Sequence, residues 1–432
     1  MGKYLVLSWA SAGRTGWPLV ALLAATQLMA SSDRFLLTLV ATPVKAALAL
    51  SDTQLGLLQG AAFALPFALA SPLFGYLVDR GQRRSLLLLG IVLSSLATLG
   101  FGLAGGFLGL LVSRSALGLG QACILPAALS LLAIRLERGQ LGRGVSFITA
   151  GSSLGRSVAL LAGGAVLAWL TVSGGISVPG LEPLAPWQML FVVAIAPNLV
   201  LTGLILRIRE TPARAKPVPR MKALGWVLRR WRAYLPHAAA ATASVLMIQT
   251  LAAWAPTFYV RAFGFTPAES GLTLGLIALL AAPCGHLAGG ALLDRMRRTG
   301  DAAAAPRLLA LALALTVPAT VTTSLSPDLH VSLAGYAALA LLFGFASPLG
   351  LGGIQFLTPP SLRGGVNALF LAAVTLVATG TGPLIVGMLN DAVFGLGGVG
   401  LALLAVFSVT AVLGGGAAIL AVRNWTPSVR QA

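Results

Sequence analysis

The chain has 432 residues, of which 57% are hydrophobic and 9% charged, with a mean hydropathy of +0.91. A soluble domain carries about 25% charged residues, so this chain cannot cover a water-facing surface, and a soluble enzyme, a disordered chain and a secreted disulfide scaffold are excluded. The net charge of +18 raises a nucleic-acid partner as a question, which the placement of the basic residues answers below.

Met1 to Ala10 holds one Lys and a short apolar stretch ahead of Trp17, and is expected as a cytoplasmic tail rather than a secretory leader. A helix needs about 20 apolar residues to cross a bilayer. Twelve such windows follow, near 17–41, 53–78, 85–104, 106–134, 143–169, 187–207, 237–260, 270–293, 306–325, 330–356, 364–389 and 397–422, numbered here as spans 1 to 12. The 51 Gly and 24 Pro fit this reading, because both are enriched in membrane helices. Cys123 and Cys284 lie in apolar runs and are expected as small hydrophobes, not as a disulfide or metal site.

Span 1 carries Asp33 and Arg34 well inside its window, span 4 carries Arg114 and span 5 carries Arg156. A rise of ~1.5 Å per residue puts Asp33 and Arg114 at matching depths, which predicts an ion pair between spans 1 and 4, and puts Arg156 near the midplane. Of eleven acidic residues, Asp33 alone lies deep in a span. Such a charge is a functional candidate by default, here as proton carrier or gate together with Arg34 and Arg114. Three Arg against one Asp leave surplus positive charge in the spans, which is costly unless paired. A substrate carboxylate, phosphate or sulfonate relieves that cost, because Arg binds such groups bidentately. Arg34, Arg114 and Arg156 are therefore the candidate substrate contacts, with the polar side chains Gln59, Gln121, Gln249, Trp254 and Tyr259. The competing reading is structural: the guanidiniums pair with helix carbonyls and Asp33.

Residues 208–235 are unlike a membrane segment, with Glu210, three Pro and many basic residues. They read as a solvated amphipathic linker on the membrane surface between an N-terminal bundle, 1–207, and a C-terminal bundle, 236–432. The positive-inside rule then places both termini in the cytoplasm. Of 29 Lys and Arg, 24 fall on that side, only Lys45 and Arg261 on the other, and three within spans. The basic excess is a topology and lipid-facing signal, and no nucleic-acid partner is expected.

Span 2 closes on Gly75-Tyr-Leu-Val-Asp79-Arg80-Gly-Gln-Arg83-Arg84, and span 8 on Gly290-Ala-Leu-Leu-Asp294-Arg295-Met-Arg297-Arg298. The copies sit six spans apart, and Arg143-Gly-Val and Arg363-Gly-Gly-Val echo each other before spans 5 and 11. Two similar six-helix halves mark a duplicated transporter with its site between the halves near the midplane.

The Gly-x-x-x-Asp-Arg-x-x-Arg-Arg loop, its weaker second copy and the long central connection resemble the major facilitator superfamily over essentially the whole chain. Within it, Asp33-Arg34-Phe35, Ser51-Asp52-Thr53-Gln54-Leu55-Gly56-Leu57-Leu58-Gln59, Ala253-Trp254-Ala255-Pro256 and Thr358-Pro359-Pro360-Ser361-Leu362-Arg363-Gly364 are similar to the spinster-like branch. The resemblance implies an all-α fold of two pseudo-symmetric six-helix bundles, with spans 1, 4, 7 and 10 lining a cavity. It also implies a cytoplasmic latch: Asp79 against the start of span 11, where a helix N-terminus favours an anion, and Asp294 against span 5. Gly75, Arg80, Arg83, Arg84, Gly290 and Arg295 complete that latch, which closes in the outward-open state and breaks on inward opening.

Two departures stand against the resemblance. The branch usually carries Glu where this chain has Gln121, which cannot titrate, so proton coupling falls back on Asp33. The glycine motif Gly151-Ser-Ser-Leu-Gly155 continues with Arg156 where Pro is usual, which weakens an antiport inference. Gly380-Thr-Gly382-Pro383 predicts a hinge or kink in span 11.

The expected protein is a monomeric secondary transporter of the cytoplasmic membrane that needs no cofactor and performs no catalysis. No nucleophile elbow, metal cluster or phosphate-binding loop appears in the sequence. From the resemblance, its substrate is a lysolipid, a sphingoid-type lipid or a related amphipath, with protons as coupling partner through Asp33. From the residues alone, the substrate carries an anionic group. A proton-coupled or uncoupled carrier of small organic anions is the alternative, and a non-transporting receptor or scaffold is the alternative of another class.

Overall fold

The computed structural model describes residues 16–136, 140–173, 184–208, 220–360 and 362–425. Among them every regular element is helical. Eleven helical segments are long and apolar enough to cross a membrane. Gly16–Leu48, with 33 residues, is not among them, because Asp33 and Arg34 in its middle lower its hydropathy. With it, the described residues present twelve spans: Gly16–Leu48, Asp52–Val78, Arg83–Gly102, Phe107–Arg135, Leu141–Val172, Pro186–Ile205, Trp231–Phe263, Pro267–Arg298, Ala304–Leu325, Leu329–Leu357, Arg363–Phe394 and Val399–Arg423.

Spans 1 and 7 run well past their apolar windows. Their ends carry Lys45, Arg232 and Arg261, residue types whose long stems suit the end of a span. Span 7 accordingly begins at Trp231, inside the expected linker, and a short helix, Arg220–Arg229, precedes it. The rest of the linker from Arg209 to Pro219 lies outside the described residues, as do the first 15 residues.

The internal repeat is visible in helix lengths and in register. Spans 1 and 7 each have 33 residues, spans 4 and 10 each have 29, and spans 5 and 11 each have 32. Spans 2 and 8 open alike. Ser51 accepts a hydrogen bond from the Gln54 backbone while the Gln54 side chain accepts from Ser51, and Thr266 and Glu269 do the same. These reciprocal caps satisfy two orphan N–H donors per helix. Ser51 and Thr266, Gly56 and Gly271, Gly60 and Gly275, Gly75 and Gly290, and Asp79 and Asp294 all differ by 215 in number.

Of these, Gly56, Gly60, Gly271 and Gly275 close the seams between the halves. Span 2 packs on span 11 so tightly that a Cβ on Gly56 would lie 2.5 Å from the Pro383 carbonyl oxygen, and one on Gly387 would lie 2.2 Å from that of Asp52. On the pseudo-equivalent seam, a Cβ on Gly271 would lie 2.7 Å from the Leu160 carbonyl oxygen of span 5, and Gly164 approaches Ala268 in the same way. Small residues let backbones meet where lipid supplies no hydrophobic drive. Nearer the basic loops the same helices turn to their own halves. Gly151 and Gly155 of span 5 pack on Ala24 and Leu28 of span 1, and Gly285 and Gly289 of span 8 pack on Leu341 and Phe345 of span 10.

Candidate functional site

The seam is sealed by charge at the end opposite the basic loops. The Arg261 guanidinium donates to both Asp52 carboxylate oxygens at 2.7 Å, and Lys45 donates to the same carboxylate. This fork-to-carboxylate geometry is the strong form of an ion pair, and it joins spans 1 and 2 of one half to span 7 of the other. Asp391 at the end of span 11 accepts from the backbone N–H groups of Asp52 at 3.0 Å and Thr53 at 2.7 Å. An acidic side chain there satisfies free N–H groups at the start of span 2 and meets the positive end of its dipole.

About halfway along the seam, span 2 breaks at Gly60 (φ −112°, ψ −98°), and span 11 has a π-helical turn, Thr375–Thr379. Such turns are frequent at functional positions in helices, and this one ends just before the Gly380–Pro383 stretch where a distortion was expected, which is itself α-helical. Thr379 Oγ1 accepts from Arg34 Nη2 at 3.0 Å and from Gln249 Nε2 at 3.1 Å, so spans 1, 7 and 11 meet on one hydroxyl. The Arg34 guanidinium also lies 4.5 Å from the centre of the Phe63 ring. Gln59 is buried with both amide atoms unpartnered in the protein. Arg34, Gln59, Arg114, Gln249 and Thr379 line one cavity of about 10 Å³, which is room for a single water.

Several expected contacts fall elsewhere. Asp33 and Arg114 do not pair. The Asp33 carboxylate accepts from Asn198 Nδ2 of span 6 at 2.8 Å. Arg114, 2% exposed, donates through Nε to the Leu58 carbonyl at 2.9 Å and through both terminal nitrogens to the Arg34 carbonyl at 3.1 Å. The break at Gly60 interrupts the helix just past Leu58, leaving that carbonyl for the guanidinium. Arg114 is thus satisfied by main chain, which leaves Arg34 and Arg156 as the partly exposed guanidiniums of the spans. Arg156 lies near the Phe35 ring, 6.0 Å to its centre, and within electrostatic reach of Tyr336.

Gln121 donates to the Ala30 carbonyl at 2.6 Å and ties span 4 to span 1. Trp254 and Tyr259 are fully buried; the indole donates to the Pro383 carbonyl at 2.9 Å and the phenol pairs with Ser332 at 3.1 Å. Both belong to the packed interior, because each ring's polar tip finds its partner on a neighbouring helix.

At the basic end, Arg83 donates to Ser130 at 2.7 Å and Arg84 to the Leu206 carbonyl at 2.6 Å, both within the first half. Arg80 stacks on Tyr76, Asp294 and Arg295 are exposed, and a Cβ on Gly290 would meet nothing within 4 Å. The side chain of Asp79 lies outside the described residues, so its expected contact with span 11 does too.

A family model described as Major Facilitator Superfamily matches residues 23–379. The chain belongs to the Major Facilitator Superfamily. Membership makes it a membrane transporter rather than an enzyme. It is 28% identical over 389 residues to an "MFS-type efflux pump" of Mycolicibacterium smegmatis, covering 88% of this chain and 85% of that one. It is 26% identical over 311 residues to human "Protein spinster homolog 1", where the match takes in 66% of this chain and 56% of the human protein. Its fold superposes with a TM-score of 0.85 on the crystal structure of a bacterial homolog of the human lysosomal transporter Spinster, covering 97% of this chain at 21% identity. This superfamily member therefore stands among spinster-like relatives, as the span 1, 2, 7 and 11 stretches implied.

Sequence reasoning missed Asn198, Thr379 and the Asp52–Lys45–Arg261 seal. Asn198 was visible as a polar residue after Pro197 near the middle of an apolar span. Lys45 and Arg261 were visible as the two basic residues expected on the far side, both of which converge on Asp52.

Proposed function

We propose that this transporter works by alternating access and carries an amphipathic molecule with an anionic group across the cytoplasmic membrane. The observation that supports this reading is the meeting of Arg34, Gln59, Gln249 and Thr379, drawn from both halves, at the middle of the seam. A buried polar group without a partner costs about 1–3 kcal/mol, and a polar guest entering between the halves offsets that cost at Gln59. Arg34 and Arg156 supply its countercharge. The seal at Asp52 with exposed motif residues at the basic end corresponds to a carrier closed on one face, and the glycine-lined seams are the surfaces that separate when it turns over. The efflux pump among its relatives favours export, and the spinster-like relatives favour a lysolipid or sphingoid-type cargo.

Asp33 is the proton carrier in this reading, since its partner is a neutral amide rather than a cation. The test is exchange and uptake in proteoliposomes of purified protein, with lysophosphatidate and with a short dicarboxylate as cargo, each with and without a pH gradient. Arg34→Gln is expected to abolish uptake of the lysolipid. Asp33→Asn is expected to abolish the response to the gradient while leaving exchange. Lysolipid uptake unchanged in Arg34→Gln overturns the anion site, and a gradient response surviving in Asp33→Asn overturns the proton role. Uptake of the dicarboxylate alone selects the small-anion carrier, and ligand binding without counterflow selects a receptor.

A further inference from the structure

A second concavity lies on the sealed face, where residues of both halves line it and Arg34 does not. It has a volume of about 570 Å³ and is lined by Lys45 and Arg261 together with Ala46, Ala49, Leu50 and Leu396. That volume falls within the range of small-molecule sites, about 300–1,000 Å³. Its floor is the end of span 1, where Ala49 holds φ +50°, a left-handed conformation that is uncommon for a residue with a side chain. Arg261 also donates to the Leu396 carbonyl at 3.2 Å, so the far wall is fixed to the same guanidinium.

Of the charged side chains here, Lys45 and Arg261 line the concavity and Asp52 and Asp391 do not. Two cations share the Asp52 carboxylate, and Asp391 is occupied with backbone N–H groups. Arg261 alone satisfies both oxygens of Asp52. The Lys45 ammonium is paired with that carboxylate too, but it has three donors, so it can also donate to an incoming anion while the bidentate pair keeps the seal closed. Beside it lies an apolar wall. We propose that this concavity is a docking site for a singly charged amphipathic anion. Lys45 holds the head group and the Ala46–Leu50 and Leu396 surface holds the chain, before or after passage through the seam. The proposal rests on the amphipathic-anion reading of the cargo and adds a second station to it.

Binding of octanoate to full-length protein in amphipol, measured calorimetrically against acetate and octylammonium, tests this. Octanoate is expected to bind, with acetate and octylammonium at least tenfold weaker. Lys45→Gln removes one charge-assisted contact and is expected to weaken octanoate about tenfold. Ala46→Trp fills the apolar side without touching a charge and is expected to abolish binding. Arg34→Gln is expected to keep the Lys45-dependent part of this binding, whatever it removes at the central site. Binding lost in Arg34→Gln but kept in Lys45→Gln and Ala46→Trp overturns the docking site while leaving the central site standing. Acetate binding as tightly as octanoate overturns the amphipath assignment. Binding to Ala46→Trp at unchanged affinity overturns the location, and normal elution and thermal stability of that variant separate lost binding from misfolding.

Discussion

Asp52 gathers more of the closed state than any other side chain described: two cations and, through its backbone, a carboxylate from the opposite half. Hydrogen bonds to charged groups contribute about 1.5–3 kcal/mol each, and about 1.4 kcal/mol is a factor of ten in population. Asp52→Asn is therefore expected to open the sealed face at least tenfold more often. The measurement is alkylation of a cysteine at Thr38, a buried position beside the central cavity, by an impermeant thiol reagent in a Cys284→Ser background. An unchanged alkylation rate removes Asp52 from the seal.

Asn198 makes a comparable claim for Asp33. Asn198→Ala leaves a buried carboxyl without its partner at a cost of about 1–3 kcal/mol and is expected to lower the melting temperature by several degrees. Asp33→Asn keeps an oxygen that accepts from Asn198 and is expected to melt near the parent. Equal loss in both variants contradicts this assignment of the bond.

At the scale of helices, the seam depends on glycine. A branched side chain at Gly56 has nowhere to go, because the Pro383 carbonyl and the Leu384 Cα already stand 2.5 Å and 2.9 Å from where its Cβ begins. Interiors are close-packed and accommodate such intrusions poorly. Gly56→Val is expected to force spans 2 and 11 apart and to raise alkylation of the Thr38 cysteine as Asp52→Asn does. The same substitution at Gly203, where an added Cβ would meet no neighbouring helix within 4 Å, is expected to leave it unchanged. Helix existence was legible in the sequence, since twelve apolar windows suffice to locate twelve helices. The break at Gly60 and the π-helical turn at Thr375–Thr379 were less so. The Gly380–Pro383 pattern announces a distortion, but which carbonyls it frees and which guanidinium takes them depends on helices far away in sequence.

At the scale of the whole molecule, the proposed alternating access requires the two halves to part along seams that are here in contact. An ideal Cβ on Gly380 lies 3.7 Å from the Cβ of Ala64, inside the range that a disulfide bridges without backbone movement. The pair Ala64→Cys and Gly380→Cys is expected to cross-link readily on oxidation, to stop uptake in proteoliposomes, and to recover on reduction. Uptake continuing in the oxidised protein contradicts alternating access through this seam.

The candidate site was legible in part for a physical reason. A charge inside an apolar window is visible in one dimension, so Asp33, Arg34, Arg114 and Arg156 stood out at once, and the paired motifs at Asp79 and Asp294 exposed the duplication. What each charge pairs with is a three-dimensional property. Depth along a helix put Asp33 level with Arg114, but depth carries no information on the direction a side chain faces, and the structure turned Asp33 to span 6 and Arg114 to main-chain oxygens. By itself the sequence determined the membrane-embedded, duplicated helical architecture, because hydrophobic length and repeat register are properties of the chain. Only the tertiary structure decided which polar groups meet across the halves, because those contacts join residues such as Arg34 and Thr379, or Asp52 and Arg261, that helix packing alone brings within hydrogen-bond distance.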